Sequence, residues 1–218
     1  MIHYASNKIS KTLLGYYDEA IDFCIITPIT GIYTSLINSL KIIANYETGF
    51  YKNCIAETKF GKCAIIETPQ GIQSQDAMHI FKNAKYIFLG FAGGINADFK
   101  VGEIIEANSA FDEFGNSYQL NPFLGFKTAA VGYSPALLGE IANQFQKRAE
   151  EFGCKIVDME TTYCAKVASK FGNRFSAFYV ITDTKEMPFY DINLSCNESI
   201  NKSTENMISY IINYIKQK

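Results

Sequence analysis

Apolar residues recur along the chain in alternating strand-like and helix-like rhythms. Ile21 to Thr27 is a compact apolar run ended by Pro28 and predicts a buried strand. Ile32, Leu36, Leu40 and Ile43 then follow at helical spacing, which predicts a helix over Ile32–Ala44. Strands are expected over Lys52–Thr58 and Lys62–Glu67, with Phe60-Gly61 as their turn. Pro69, Gln70 and Gly71 mark a loop, and a short helix is expected over Ser74–Asn83. Lys85–Leu89 reads as a strand entering a glycine-rich turn, Gly90 to Gly94. Val101–Ala107 and Lys127–Val131 read as extended, with a turn-rich stretch from Asn108 to Phe126 between them.

In the last third of the chain, Ser134-Pro135 has the form of a helix start, with serine as cap and proline at the first position. That helix is expected to run to Glu151 and stop at Gly153. Lys155–Val157 predicts a short strand, Glu160–Phe171 a helix ending at Gly172, and Phe175–Thr182 a buried strand. Ser195-Cys196-Asn197-Glu198 resembles a capping box opening a helix whose apolar face is Ile200, Met207, Ile208, Ile211, Ile212 and Ile215. The alternation predicts an α/β fold of three layers, a central mixed sheet flanked by helices, in a single domain over residues 1–218.

Composition narrows the chemistry. The formal net charge is −2, and Arg148 and Arg174 are the only arginines, so no basic stripe suits a nucleic acid. No apolar run approaches the span of a membrane helix, and the N-terminus lacks the apolar core of a signal segment. Six cysteines (Cys24, Cys54, Cys63, Cys154, Cys164 and Cys196) form no CxxC pair, which fits buried thiols in a reducing cytoplasm. With His3 and His79 the only histidines, a Cys/His metal site is not expected. His79 reads as a helix-surface residue and His3 as part of a frayed terminus.

Residues Lys155 to Asp183 carry the candidate chemistry. Strand, helix and strand fit a right-handed βαβ unit. In a parallel pair, Glu160 after the first strand and Asp183 after the second project toward one crevice, at the edge where open α/β sheets bind ligands. Asp158 is placed to cap the helix after Glu160, and a glutamate or aspartate in such positions also serves the helix dipole or a loop without any catalytic part.

Three segments resemble the nucleoside phosphorylases and the methylthioadenosine/S-adenosylhomocysteine nucleosidases. Gly90-Phe91-Ala92-Gly93-Gly94-Ile95 with Val101-Gly102-Glu103-Ile104-Ile105 is similar to their glycine segment and following strand. Val157-Asp158-Met159-Glu160-Thr161 is similar to the "MetGlu" motif, and Ile181-Thr182-Asp183 to the "SerAsp" motif. The resemblance implies that Glu160 accepts hydrogen bonds from the ribose hydroxyls and favours a cationic sugar. It implies that Met159 packs on the ribose and that Asp183, flanked by Thr182, donates a proton to N7 of the base. Ala92 and Gly93 leave room for the base, and Phe91 and Tyr133 are candidates for walling it in. No cofactor is implied, except phosphate for a phosphorylase.

The chain departs from both branches in its first loop, Thr27-Pro28-Ile29-Thr30-Gly31. That loop lacks the arginine of the phosphorylases and the glutamate with which nucleosidases activate water. Thr30 and the start of the following helix are left to contact substrate or phosphate. The expected activity is hydrolytic cleavage of a purine-type N-glycosidic bond, with a phosphate-dependent phosphorylase or a catalytically weak nucleoside-binding paralogue as alternatives. The resemblance further implies a small-molecule nucleoside as partner and a homodimer or dimer-built hexamer.

Overall fold

The computed structural model describes residues 6–15, 21, 23–46, 50–96, 98–188 and 197–216. His3, Ser195 and Cys196 lie outside the described residues. The strands are β1 (Phe23–Thr27), β2 (Lys41–Tyr46), β3 (Asn53–Thr58), β4 (Gly61–Glu67), β5 (Lys85–Gly94), β6 (Ile104–Phe111), β7 (Ser117–Gln119), β8 (Lys127–Tyr133), β9 (Ile156–Asp158) and β10 (Arg174–Thr184). The helices are α1 (Ser6–Leu14), α2 (Thr30–Ser39), α3 (Gly139–Glu151), α4 (Thr161–Phe171) and α5 (Glu198–Ile215), with a 3₁₀ helix at Gly71–His79.

The strands join one mixed sheet. β5, β10, β6, β8 and β9 pair in sequence, and β9 pairs back to β5, closing a ring. β1, β4, β3 and β2 extend from β5 as an open wing. β1 is parallel to both β4 and β5, and β5 is parallel to β10. The carboxyl ends of these four strands, at Thr27, Glu67, Gly94 and Thr184, therefore share one edge of the sheet.

Helices cover both faces, as the alternating buried runs require. On one side α2 and α5 set Ile32, Leu36, Ile200, Met207 and Ile211 against Ile25, Leu89 and Phe178. On the other side α1, the 3₁₀ helix and α4 bring Leu14, Met78 and Cys164 against Ile26, Phe88 and Tyr179. Burying each such large side chain contributes about 1.5–3 kcal/mol. The predicted apolar face of α5 is buried at all six named positions. Its cap is Asn197, whose side chain accepts from the Ile200 N–H at 3.1 Å.

Several boundaries differ from the sequence expectation for local reasons. The helix predicted over Ile32–Ala44 ends at Ser39, and the chain turns into β2, where alternate residues face outward and Ile43 is exposed. The helix predicted from Ser134 starts only at Gly139. The Ser134 N–H is taken by the Asp158 carbonyl at 2.8 Å and its hydroxyl by the Ala136 carbonyl, which leaves no cap. The glycine segment is not a turn. β5 runs straight through it, and none of Gly90, Gly93 or Gly94 has positive φ. The turn-rich stretch is pinned by Glu106, a fully buried carboxylate that accepts the backbone N–H groups of Phe123, Leu124 and Phe126 at 2.7–2.9 Å.

The expected βαβ unit is also corrected. β9 is parallel to β8 and antiparallel to β5, so it runs opposite to β10. The segments that carry Glu160 and Asp183 are both tied to β5 instead. β5 changes partner along its length, from β1 at Lys85–Phe88 to β9 at Gly93-Gly94. Gly93 thereby pairs with Val157 on one side and Asp183 on the other.

Candidate active site

Glu160 sits between β9 and α4 and is buried. Its Oε1 accepts the Gly71 N–H at 2.6 Å and its Oε2 the Met159 N–H at 3.3 Å. Gly71 opens the 3₁₀ helix just beyond the carboxyl end of β4, with φ +77, a conformation that side chains oppose. The Met159 methyl lies beside it. Two backbone amides from separate segments thus aim one carboxylate. Burial raises its pKa, and the two amide bonds oppose that rise.

Behind Glu160 lies Asp158, which accepts the Thr161 N–H at 3.0 Å and the Thr161 hydroxyl at 2.5 Å, with the Tyr179 hydroxyl at 3.3 Å. The Thr161 bonds secure the first turn of α4, which is the capping part expected of Asp158. Burial, then the neighbouring Glu160, raises the Asp158 pKa well above its ordinary value. Two carboxyl groups so placed do not both ionise easily.

Asp183 is carried at the end of β10, where the register slips between Ile181 and Asp183. Its Oδ1 accepts the Thr182 hydroxyl at 2.7 Å, and that hydroxyl also lies 3.4 Å from the Ala92 carbonyl. A Cβ on Gly93 would stand 2.9 Å from Asp183 Oδ2, so glycine is what lets the carboxyl lie across β5. Burial raises the Asp183 pKa, opposed by the Thr182 bond. Lys185, two residues on, pairs with Glu150 instead of neutralising it. An acid of this kind is suited to hold and donate a proton.

The other candidates are distributed around this pair. Ala92 is buried in the β5 core beside Gly93. Tyr133 pairs in register with Asp158 and packs edge-on against Tyr163 and Phe145, at centroid distances of 4.9 and 5.8 Å. Phe91 packs instead against the apolar layer beneath α2 and α5, the opposite face from Ala92. Thr30 is the first residue of α2, and its hydroxyl donates to Glu67 Oε1 at 2.5 Å.

Two residues that contact these candidates escaped the sequence reading. Gly71 looks like an ordinary loop glycine, and only the fold shows its amide meeting Glu160. Glu67 looks like a surface charge closing a strand. The signal was its position as the last residue of β4, level with Thr27 at the carboxyl end of β1.

The described thiols Cys24, Cys54, Cys63, Cys154 and Cys164 are buried and free. Burial pushes Cys54 to about 11 and Cys154 to about 12, which makes them poor nucleophiles. His79 is half-buried, edge-on to Phe171 at 5.1 Å rather than on an open helix surface. No described helix is long and apolar enough to cross a membrane.

No family model matches the sequence, and no curated protein matches it. Solved structures do match the fold. The Campylobacter jejuni 5′-methylthioadenosine/S-adenosylhomocysteine nucleosidase superposes with a TM-score of 0.76 at 12% identity, covering 89% of this chain and 98% of its own. A futalosine hydrolase mutant from Helicobacter pylori strain 26695 gives 0.72 at 13% identity, covering 88% and 97%. The Streptococcus pyogenes S-adenosylhomocysteine nucleosidase in complex with 5-methylthiotubericidin gives 0.70 at 11%, covering 90% and 98%. Across most of its length, the chain shares the fold of these two nucleosidases and this hydrolase.

Proposed function

We propose that this protein hydrolyses the N-glycosidic bond of a purine-type nucleoside. The reading rests chiefly on Glu160 and Asp183, two carboxyl groups in different settings, carried after β9 and at the end of β10, the two strands that flank Gly93. One is oriented by two backbone amides and carries charge. The other is partly buried, unpaired by any ammonium among the described residues, and raised toward its protonated form. Groups in such opposed states are suited to stabilise a cation and to donate a proton in one reaction.

In this mechanism the ribose hydroxyls donate to Glu160, whose charge favours the sugar as it turns cationic. Asp183 protonates N7, so the base leaves neutral. Met159 lies against the sugar, Tyr133 borders it, and Ala92 and Gly93 form the floor beneath the base. Phe91 shapes that floor from the far side of β5. Reaction requires no cofactor.

Water is preferred to phosphate as the nucleophile because of Thr30. Its hydroxyl, a candidate phosphate contact, is bonded to the Glu67 carboxylate. A carboxylate in that place opposes an anionic nucleophile. The solved structures with this fold are named as nucleosidases and hydrolases, which supports the same choice. Liquid chromatography of a nucleoside panel, with and without phosphate, tests it. Free base is expected at equal rates in both buffers. Release only with phosphate would make the protein a phosphorylase, and intact nucleoside in both would make it a binding protein.

The protein acts on a free small molecule, in the cytoplasm, where reduced buried thiols persist. Exposed Leu137, Leu138 and Ile141, at and before the start of α3, offer apolar surface for a homodimer or an assembly built from dimers.

A further inference from the structure

Hydrolysis requires a group to take the proton of the attacking water. Asp183 is used in giving a proton to the base. Glu160 has an amide on each oxygen, and Asp158 is enclosed behind it with Thr161 and Tyr179. The first loop, between β1 and α2, contains no carboxylate.

We propose, on the hydrolytic reading above, that Glu67 is the base that deprotonates the attacking water. It closes β4 on the same edge as Asp183, since β1, β4, β5 and β10 are mutually parallel. Its Cα is level with Thr27, and its backbone N–H is tied to the Lys52 carbonyl at 2.9 Å. The side chain is 14% exposed. Oε1 accepts the Thr30 hydroxyl, which fixes the direction of the carboxylate. Oε2 is enclosed and has no hydrogen-bond partner. The Lys52 ammonium stands 3.3 Å away without the alignment of a hydrogen bond, on a side chain that is 69% exposed. A buried acceptor without a hydrogen bond is costly in a folded protein, its ion pair with an exposed ammonium does not replace one, and a water bonded there would satisfy it. Gly71, whose amide orients Glu160, is four residues beyond Glu67, a reach of at most about 14 Å.

One O–H proton of water passes to Glu67 Oε2 as the water oxygen bonds to C1′ of the sugar. The electron pair of the C1′–N bond leaves with the base, which receives a proton from Asp183. One water and one nucleoside become one free sugar and one neutral base. Glu67 ends protonated and Asp183 ionised, and exchange with solvent resets both.

Glu67→Ala and Glu67→Gln test the assignment beside the wild-type protein. Gln keeps an acceptor for Thr30, and its melting temperature controls for folding if the Ala variant is unstable. Loss of a general base is expected to lower kcat about 10²-fold in both variants, with KM within about threefold of wild type. Azide needs no deprotonation. It is expected to restore base release by Glu67→Ala and to leave a glycosyl azide detectable by mass spectrometry. Variants that turn over within about threefold of wild type, while the wild type hydrolyses nucleosides, would overturn the role of Glu67 and leave the hydrolytic reading standing. A folded but inactive Glu67→Ala that forms no glycosyl azide would also overturn it. A wild-type protein inert on the whole panel would overturn both.

Discussion

Asp183→Asn is expected to lower kcat/KM for a purine nucleoside about 10³-fold, close to 4 kcal/mol of lost transition-state stabilisation. The substitution is nearly isosteric, so the amide still receives the Thr182 hydroxyl and still fits over Gly93. What it loses is the proton to be given to the base. The pH profile separates this from mere disturbance. Asp183 must be protonated to act, and burial raises its pKa. Activity of the wild type should therefore fall as pH rises through that pKa, and the variant's residual activity should lack this alkaline limb. A nucleoside whose base leaves readily as an anion should lose much less in the variant. Equal losses on both kinds of leaving group would argue against proton donation.

Glu160→Gln is expected to cost about 10²-fold in kcat/KM through the loss of charge opposite the cationic sugar. The Gln carbonyl can keep the Gly71 amide bond, so folding should survive, as a melting curve would show. The informative comparison is with a 2′-deoxynucleoside. If Glu160 binds the ribose diol, removing a hydroxyl and removing the charge are coupled, and the two losses should not add. Strict additivity would place Glu160 away from the sugar hydroxyls.

The parts of this architecture visible in the sequence are those where burial alone decides. The Phe23–Thr27 and Arg174–Thr184 strands and the apolar face of α5 are such cases. β2 was hidden because Leu40 and Ile43 continue the spacing of α2, while the strand itself lies at the sheet margin and has no strong inward face. That Glu160 and Asp183 follow strands tied to one region of the sheet was legible, but the strand directions were not. Periodicity cannot tell a parallel neighbour from an antiparallel one, and the ring closure through Gly93 depends on contacts far apart in the chain. Phe91 illustrates the same limit. Its place in the glycine segment pointed to the base, whereas strand alternation sends it to the α2/α5 layer. Glu67 was invisible for a plainer reason. A charged residue ending a strand is ordinary, and only its bond to Thr30 and the buried oxygen without a hydrogen bond distinguish it.

On the proposed mechanism water, acting at these carboxyl groups, breaks the bond between base and sugar. Turnover of a purine nucleoside in ¹⁸O-enriched water, followed by mass spectrometry, measures it directly. One heavy oxygen in the released sugar and none in the base is the expected result. A sugar phosphate, or a nucleoside recovered whole, would contradict it.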